Sequence, residues 1–482
     1  MPLPTKTTTL LLVVLATCLA LAGLSQPRDA GIGDAQRELA ADDAANLLLD
    51  WLRSDGSPWT REPAIAREVG VLRQFYGDRS WRPAWVDAGR PTPQALEISQ
   101  LLAAAADRGL RPGDYRAAIW TQRFQAVGLG DARALAQLDL ELSAAVSHFT
   151  HDLRFGRIDP STLGIETGAD RDAGTLPAIL AELASAPDVE STLRELVEPR
   201  HPAYAGLLAE LQRLGAADDE PTRFEQVAHI ELALERWRWL PRDLDGPAIF
   251  VNVPEFRLRA YGISGAPELE MKVVVGDARG SATPLFGSAM RTVVFQPQWY
   301  VPKSIVRGEL VPSEEREPGY LEARGYDILD HHGRVSDSPM DEATLYGLRA
   351  GQLGLRQRSG PGNALGKVKF LFPNPYSVYL HDTPTRSAFE RDRRDLSHGC
   401  VRVADPNALA RWALRDVPGW TDDRVAKALA GYATLSVELP SPIRVVMVYH
   451  TTVVDENGVR FLPDLYGHDA TLREAIAGLQ AT

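Results

Sequence analysis

The chain has 482 residues, 44% hydrophobic and 24% charged, an ordinary globular balance with room for two or three domains. Its 52 basic and 64 acidic residues leave a net charge of −12, which argues against a nucleic-acid partner. There are two cysteines, Cys18 and Cys400, so a disulfide framework is not the organising principle.

The first 24 residues read as an export signal. Lys6 is followed by an almost wholly apolar run from Leu10 to Leu24, too short for a comfortable membrane span, and Ala20-Leu21-Ala22 offers a cleavage site. An uncleaved anchor, or lipidation at Cys18, are weaker readings of the same stretch. Cleavage would remove Lys6 and no acidic residue, leaving 51 basic against 64 acidic residues and a charge of −13. It would also remove Cys18, leaving Cys400 as a lone thiol that is either buried and inert or chemically employed.

Residues 25–44 read as a polar, flexible lead-in, and 45–220 as a mainly helical domain. Helical spacing marks Pro93 to Arg108, stopped by Gly109, then Leu135 to Phe149 and Leu176 to Leu183. Phe75, Tyr76, Trp81 and Trp85 read as core packing. Gly215 to Pro221 is a short linker, and Phe224 to Leu240 a helix halted before Pro241, within a linker segment of 221–240.

Beyond it the apolar period changes from 3.6 to 2. Strands are predicted at Ala248–Val253, Arg257–Tyr261, Leu269–Val275, Met290–Gln296, Lys367–Phe372, Ser377–His381 and Ile443–Val454. Another at Val459–Leu462 follows the turn signal Asn457-Gly458. The fold class is therefore α+β, with a helical N-terminal half and a β-rich domain over 241–482. Within that domain, about 303–366 is Gly/Pro/Arg-rich with a few helical turns. It reads as an inserted mobile lid and not as a packed strand layer.

Chemistry concentrates near Cys400. In Ser397-His398-Gly399-Cys400-Val401-Arg402-Val403, a short strand would turn Val401 and Val403 to the core and put Cys400 and Arg402 on the other face. Asp405-Pro406 reads as an N-cap and first helical position. In Ser377-Val378-Tyr379-Leu380-His381 the same alternation groups Tyr379 with His381. A Cys/His pair follows, with the histidine taking the thiol proton and a thiolate beside imidazolium as nucleophile. A histidine in such a place is more often a satisfied surface or core residue. Zinc is disfavoured: one thiolate is present, with no H-E-x-x-H or C-x-x-C spacing, so no metal is expected.

The segment from His381 to Cys400, with fifteen residues between His381 and Ser397-His398-Gly399-Cys400, resembles the signature of the L,D-transpeptidase (YkuD) catalytic domain. Further segments resemble the large periplasmic YcbB-like subgroup. They include Leu234-Glu235-Arg236-Trp237-Arg238-Trp239-Leu240-Pro241, Pro297-Gln298-Trp299-Tyr300-Val301-Pro302, and the run from Gly360 to Phe370. Arg157-Ile158-Asp159-Pro160 and His201-Pro202-Ala203-Tyr204 are similar too. The resemblance implies a periplasmic cysteine acyltransferase that needs no cofactor. Its partners would be peptidoglycan stem peptides, a donor tetrapeptide and an acceptor stem. Cys400 would form a thioester with release of D-alanine, and an acceptor amine would resolve it to a 3–3 cross-link. His381 would be the base, the Gly399 and Cys400 N–H groups the oxyanion donors, and His398 a support for their loop. Arg402, Tyr379 and Ser397 would touch substrate. An L,D-carboxypeptidase and a lipoprotein-attachment enzyme fit the same residues, and a non-catalytic wall-binding scaffold is the rival of another class. One departure stands out: only about 221–230 occupies the place of the peptidoglycan-binding module that many members carry.

Overall fold

The computed structural model describes residues 34–87, 89–126, 131–215, 221–242, 246–262 and 265–479. The expected export signal lies outside the described residues, as do 25–33 of the lead-in and 216–220 of the first linker. The chain forms two compact units, Met1–Ser99 with Ile119–Ala145 and Gln100–Ala118 with Val146–Thr482. Among the described residues no helix is long and apolar enough to cross a membrane.

The first unit is helical. A helix over Asp34–Arg53 already occupies the second half of the polar lead-in, and Val69–Asp78 follows after short turns. Phe75, Tyr76 and Trp85 are buried, whereas Trp81 is half-buried and sits at a left-handed backbone position. The buried carboxylate of Asp139 organises this core. It accepts from the Tyr76 hydroxyl (2.6 Å) and from the N–H groups of Ala84 and Trp85, while the Trp85 indole donates to Ser143 (2.8 Å). The helix predicted to end at Arg108 runs over Pro93–Ala103 and tightens to a 3-10 turn over Ala105–Arg108. Gly109 then caps it in the left-handed conformation.

The second unit holds a β-ring built from alternating apolar segments. Its strands are β1 (Ala248–Asn252), β2 (Arg257–Tyr261), β3 (Pro267–Gly276) and β4 (Gly287–Phe295). Three strands of the insertion follow: β5 (Trp299–Tyr300), β6 (Tyr326–Leu329) and β7 (Gly354–Gln357). The ring resumes with β8 (Val368–Leu371), β9 (Leu380–His381), β10 (Asp395–Ser397), β11 (Val401–Val403) and β12 (Leu435–Val448). The hairpin β13 (Thr452–Asp455) and β14 (Gly458–Phe461) ends the series. Strand order is β10-β3-β11-β9-β8-β4-β12-β1-β2, and β2 also pairs with β3. Strands β3 to β2 in that order thus close into a ring that leaves them no open edge.

The ring interior is filled by Val251, Val273, Val275, Val293, Phe295, Val368, Phe370, Leu380, Val401, Val403 and their neighbours. Its outer face at β1, β2 and β12 presents Phe250, Tyr261, Val446 and Val448. These pack on Leu207, Leu211, Leu234 and Trp237 of the helices Pro202–Gly215 and Pro221–Arg238. Asp405 caps the helix Pro406–Leu414 by accepting the Ala408 N–H (2.9 Å), as its sequence suggests.

Several strand expectations shift, and the strand expected over Ser377–His381 covers only Leu380–His381. Strand β12 begins at Leu435, eight residues before Ile443, with an irregularity between Glu438 and Ile443. The run expected to continue to Val454 breaks after Val448, and β13 starts at Thr452. In the final hairpin Asp455 pairs with Gly458, so Glu456 and Asn457 form the turn and Gly458 opens the returning strand.

The insertion differs most from its expectation. Instead of a loose lid, β5, β7 and β6 form a three-stranded sheet beside the helices Val311–Arg316 and Glu342–Ala350. Val301, Ile305, Val306, Leu310, Val311, Leu321, Ile328, Leu348 and Leu355 form its own core. Each such side chain contributes roughly 1.5–3 kcal/mol on leaving water, which favours a packed subdomain over a mobile loop. The apolar residues come from several short elements, so no single window of sequence displays a period.

Candidate active site

Strands β8, β9 and β11 lie side by side, β9 antiparallel to β8 and parallel to β11. Because Val368, Phe370, Leu380, Val401 and Val403 point into the ring core, the alternate residues Lys369, Tyr379, His381, Cys400 and Arg402 share the opposite face. Leu380 pairs with Val401 and His381 with Arg402, which puts Cys400 opposite Tyr379 and one step diagonal from His381. The structure thus gathers Cys400, His381, Tyr379 and Arg402, residues that are up to 23 positions apart in sequence.

The loop before Cys400 is braced from within. Gly399 sits at φ +110°, a conformation L side chains rarely adopt. Its carbonyl accepts from Thr283 Oγ1 (2.9 Å), and the Gly276 N–H donates to the same hydroxyl (2.8 Å). Ser397 does not face a substrate. It is buried, its Oγ donating to the Cys400 carbonyl (2.5 Å) and accepting the Gly399 N–H (3.2 Å). That second bond also occupies one of the two expected oxyanion donors and leaves the Cys400 N–H as the candidate. His398 does not support the loop; its exposed imidazole turns outward and pairs with Glu309 of the insertion.

His381 is held through Asp382. Its Nδ1 lies 2.5 Å from the Asp382 carbonyl, which can only accept, so Nδ1 carries the proton and Nε2 is the basic nitrogen. The Asp382 carboxylate accepts the N–H groups of Lys367 (2.7 Å) and Thr383 (2.6 Å) and pairs with Arg386. Gly366, at φ +61°, is required there because a Cβ would fall 2.3 Å from that carboxylate.

The electrostatics bear on the resting state of the expected Cys400–His381 pair. Burial, then the Arg402 cation, push the His381 pKa down to about 3; the Asp382 hydrogen bond opposes this, and Lys369 adds a smaller lowering. Burial pushes the Cys400 thiol up, only partly offset by hydrogen bonding with Tyr379 and by Arg402. At neutral pH the resting pair is a thiol and a neutral imidazole. The thiol donates to the Ser377 carbonyl (3.8 Å), and Ser377 is itself at a left-handed position, φ +56°. The Tyr379 side chain lies beside Cys400 and Trp299 of β5, and its ring meets His381 edge-on at 5.7 Å.

Sequence reasoning assigned no task to Trp299, Glu309 or Lys369. Lys369 was available from the alternation of Val368 and Phe370. Trp299 and Glu309 reach the site only because the insertion folds against it.

A helical region followed by a β-ring that displays a half-buried thiol beside a neutral histidine is a two-part architecture with a candidate acyl-transfer face. Residues 246–430 match the L,D-transpeptidase catalytic domain, YkuD, and residues 70–211 match the Scaffold domain. A Haemophilus influenzae protein named "Putative L,D-transpeptidase" is 35% identical over 259 residues, covering 53% of this chain and 51% of that protein. The chain thus spans about half the length of this curated relative. The chain carries a YkuD L,D-transpeptidase catalytic domain behind a scaffold domain, a YcbB-like architecture.

Proposed function

We propose that this domain joins peptidoglycan stem peptides in the periplasm, with Cys400 as nucleophile. The observation that carries the reading is one outward face of the ring that holds a thiol, a neutral histidine and an arginine that forms no salt bridge among the described residues. Cys400 Sγ attacks the carbonyl of the third residue of a donor tetrapeptide. Its proton passes to His381 Nε2, the carbonyl π electrons move to oxygen, and the Cys400 N–H donates to that oxyanion. On collapse the C–N bond breaks, His381 returns the proton to the leaving amine, and D-alanine departs from a thioester. The side-chain amine of an acceptor stem then attacks the thioester and restores the thiol, which completes a 3–3 cross-link. Arg402 supplies a planar fork for a donor carboxylate, and Tyr379 lines the same face.

Water in place of the acceptor would make the same acyl-enzyme a carboxypeptidase. A packed insertion beside the site favours transfer if it keeps water from the thioester. The test is intact-mass analysis after incubation with a tetrapeptide donor, with and without an acceptor. An acyl adduct on wild type that is absent from Cys400→Ala, and that converts to cross-linked product with acceptor, is expected. A carbapenem should form a single adduct at the same residue. Acylation that persists in Cys400→Ala, or none in wild type, overturns the reading.

A further inference from the structure

The active face carries a second cation. In the strand register Lys369 of β8 pairs with His381 of β9, and His381 pairs with Arg402 of β11. The three form one cross-strand row, with the histidine between two positive side chains. Two strand spacings set the backbones of Lys369 and Arg402 about 9–10 Å apart. The Lys369 ammonium lies 5.8 Å from the Tyr379 ring centroid, on the same side of the sheet as Cys400.

Neither cation forms a salt bridge with a carboxylate among the described residues, although Glu309 acts on Arg402 through space and Lys369 has no such carboxylate. Elsewhere on the ring's outer surface Arg257 and Arg259 pair with Glu270, and Arg259 and Arg460 with Glu255. Lys369 and Arg402 are both half-buried, and burial lowers the pKa of each. Two half-buried cations beside a neutral histidine are poorly hydrated. The arrangement becomes favourable when a ligand brings negative charge to each.

We infer that Lys369 is a substrate-binding residue which, with Arg402, takes two separate carboxylates of an acidic donor peptide, one on each side of His381. This rests on the donor reading above and makes it more specific. The site selects a peptide with two free carboxylates spaced to bridge the row, and amidation of either weakens capture. Arg402 engages its carboxylate through a planar fork, and Lys369 engages its own as a point charge.

The test is kcat/KM for acylation of the full chain by three tetrapeptides: one with its carboxylates free, and two that are each amidated at one of them. With the free-acid donor, Lys369→Met and Lys369→Gln should each lose roughly ten- to a hundredfold, mostly in KM. With one amidated donor neither variant should lose anything further, whereas Arg402→Gln should lose its penalty with the other. Lys369→Arg should retain most of the wild-type preference. Losses within twofold of wild type on the free-acid donor, or equal losses on all three donors, overturn the inference. A wild type that none of the three acylates overturns the donor reading instead.

Discussion

Two histidine neighbourhoods of the second unit invite comparison. His381 lies on the row beside Cys400. His201 and His450 lie on the outer side of the ring, where Trp237 stacks on both, at 4.2 and 4.5 Å between ring centroids. Burial is the first cause of a depressed pKa in all three: His381 falls to about 3, His201 to about 4, and His450 well below its ordinary value. Both ring nitrogens of His450 lack a hydrogen-bond partner, whereas His381 Nδ1 is fixed by a carbonyl. A perturbed histidine is therefore no signature of chemistry by itself. The site is marked by what the imidazole meets: a thiol one strand away at the catalytic face, and an indole at the packing face.

The comparison is broken most directly by substituting one member of each neighbourhood. His381→Gln should slow acylation by ~10²–10⁴ while leaving the fold in place. Trp237→Ala should do the reverse. It should cost roughly 3–5 kcal/mol of stability and leave the acylation rate per folded molecule unchanged. Stopped-flow acylation paired with denaturant unfolding separates the two. A Trp237→Ala protein that is stable but inactive would erase the distinction.

Acid titration sharpens it. A folded pKa below the unfolded value of about 6.5 means that the unfolded chain takes up protons the folded chain refuses. The stability held by neutral His381 and His201 is thus complete above pH 6.5 and is lost as pH falls through 4 towards 3. His381→Gln and His201→Gln should each flatten the decline of melting temperature between pH 6.5 and 4. Activity should respond to one of them alone. The acid limb of kcat/KM should lie below pH 5, since neutral His381 persists there, and a limb near 6.5 would contradict the buried, cation-flanked imidazole.

The smallest effect concerns the contact between His398 and Glu309. Both side chains are about half exposed, 51% each, so the pair is worth less than about 1 kcal/mol. Glu309→Gln should change acylation less than about fivefold. The ratio of cross-linked dimer to hydrolysed tripeptide, read by chromatography, should fall by a similar factor if the insertion shields the thioester.

Much of this was written locally. The change from period 3.6 to period 2 near residue 241 announced the β-rich domain. The alternations around Val378 and Leu380, and around Val401 and Val403, already set His381, Tyr379, Cys400 and Arg402 on outward faces. Gly109 and Asp405 acted as caps where their sequence placed them. These features depend on neighbours within a few residues, so the chain order carries them. Other features needed the folded ring. The insertion's core draws single apolar residues from short elements between Val301 and Leu355. The expected substrate contact at Ser397 is instead an inward hydroxyl bonded to the Cys400 carbonyl and the Gly399 N–H. The resting charge of His381 also needed the fold, because burial and Arg402 act on it through space. The row Lys369–His381–Arg402 exists only because β8, β9 and β11, separate in the chain, share one register. Sequence determines which face a side chain takes along its own strand; the pairing of distant strands determines its neighbours, and with them its charge.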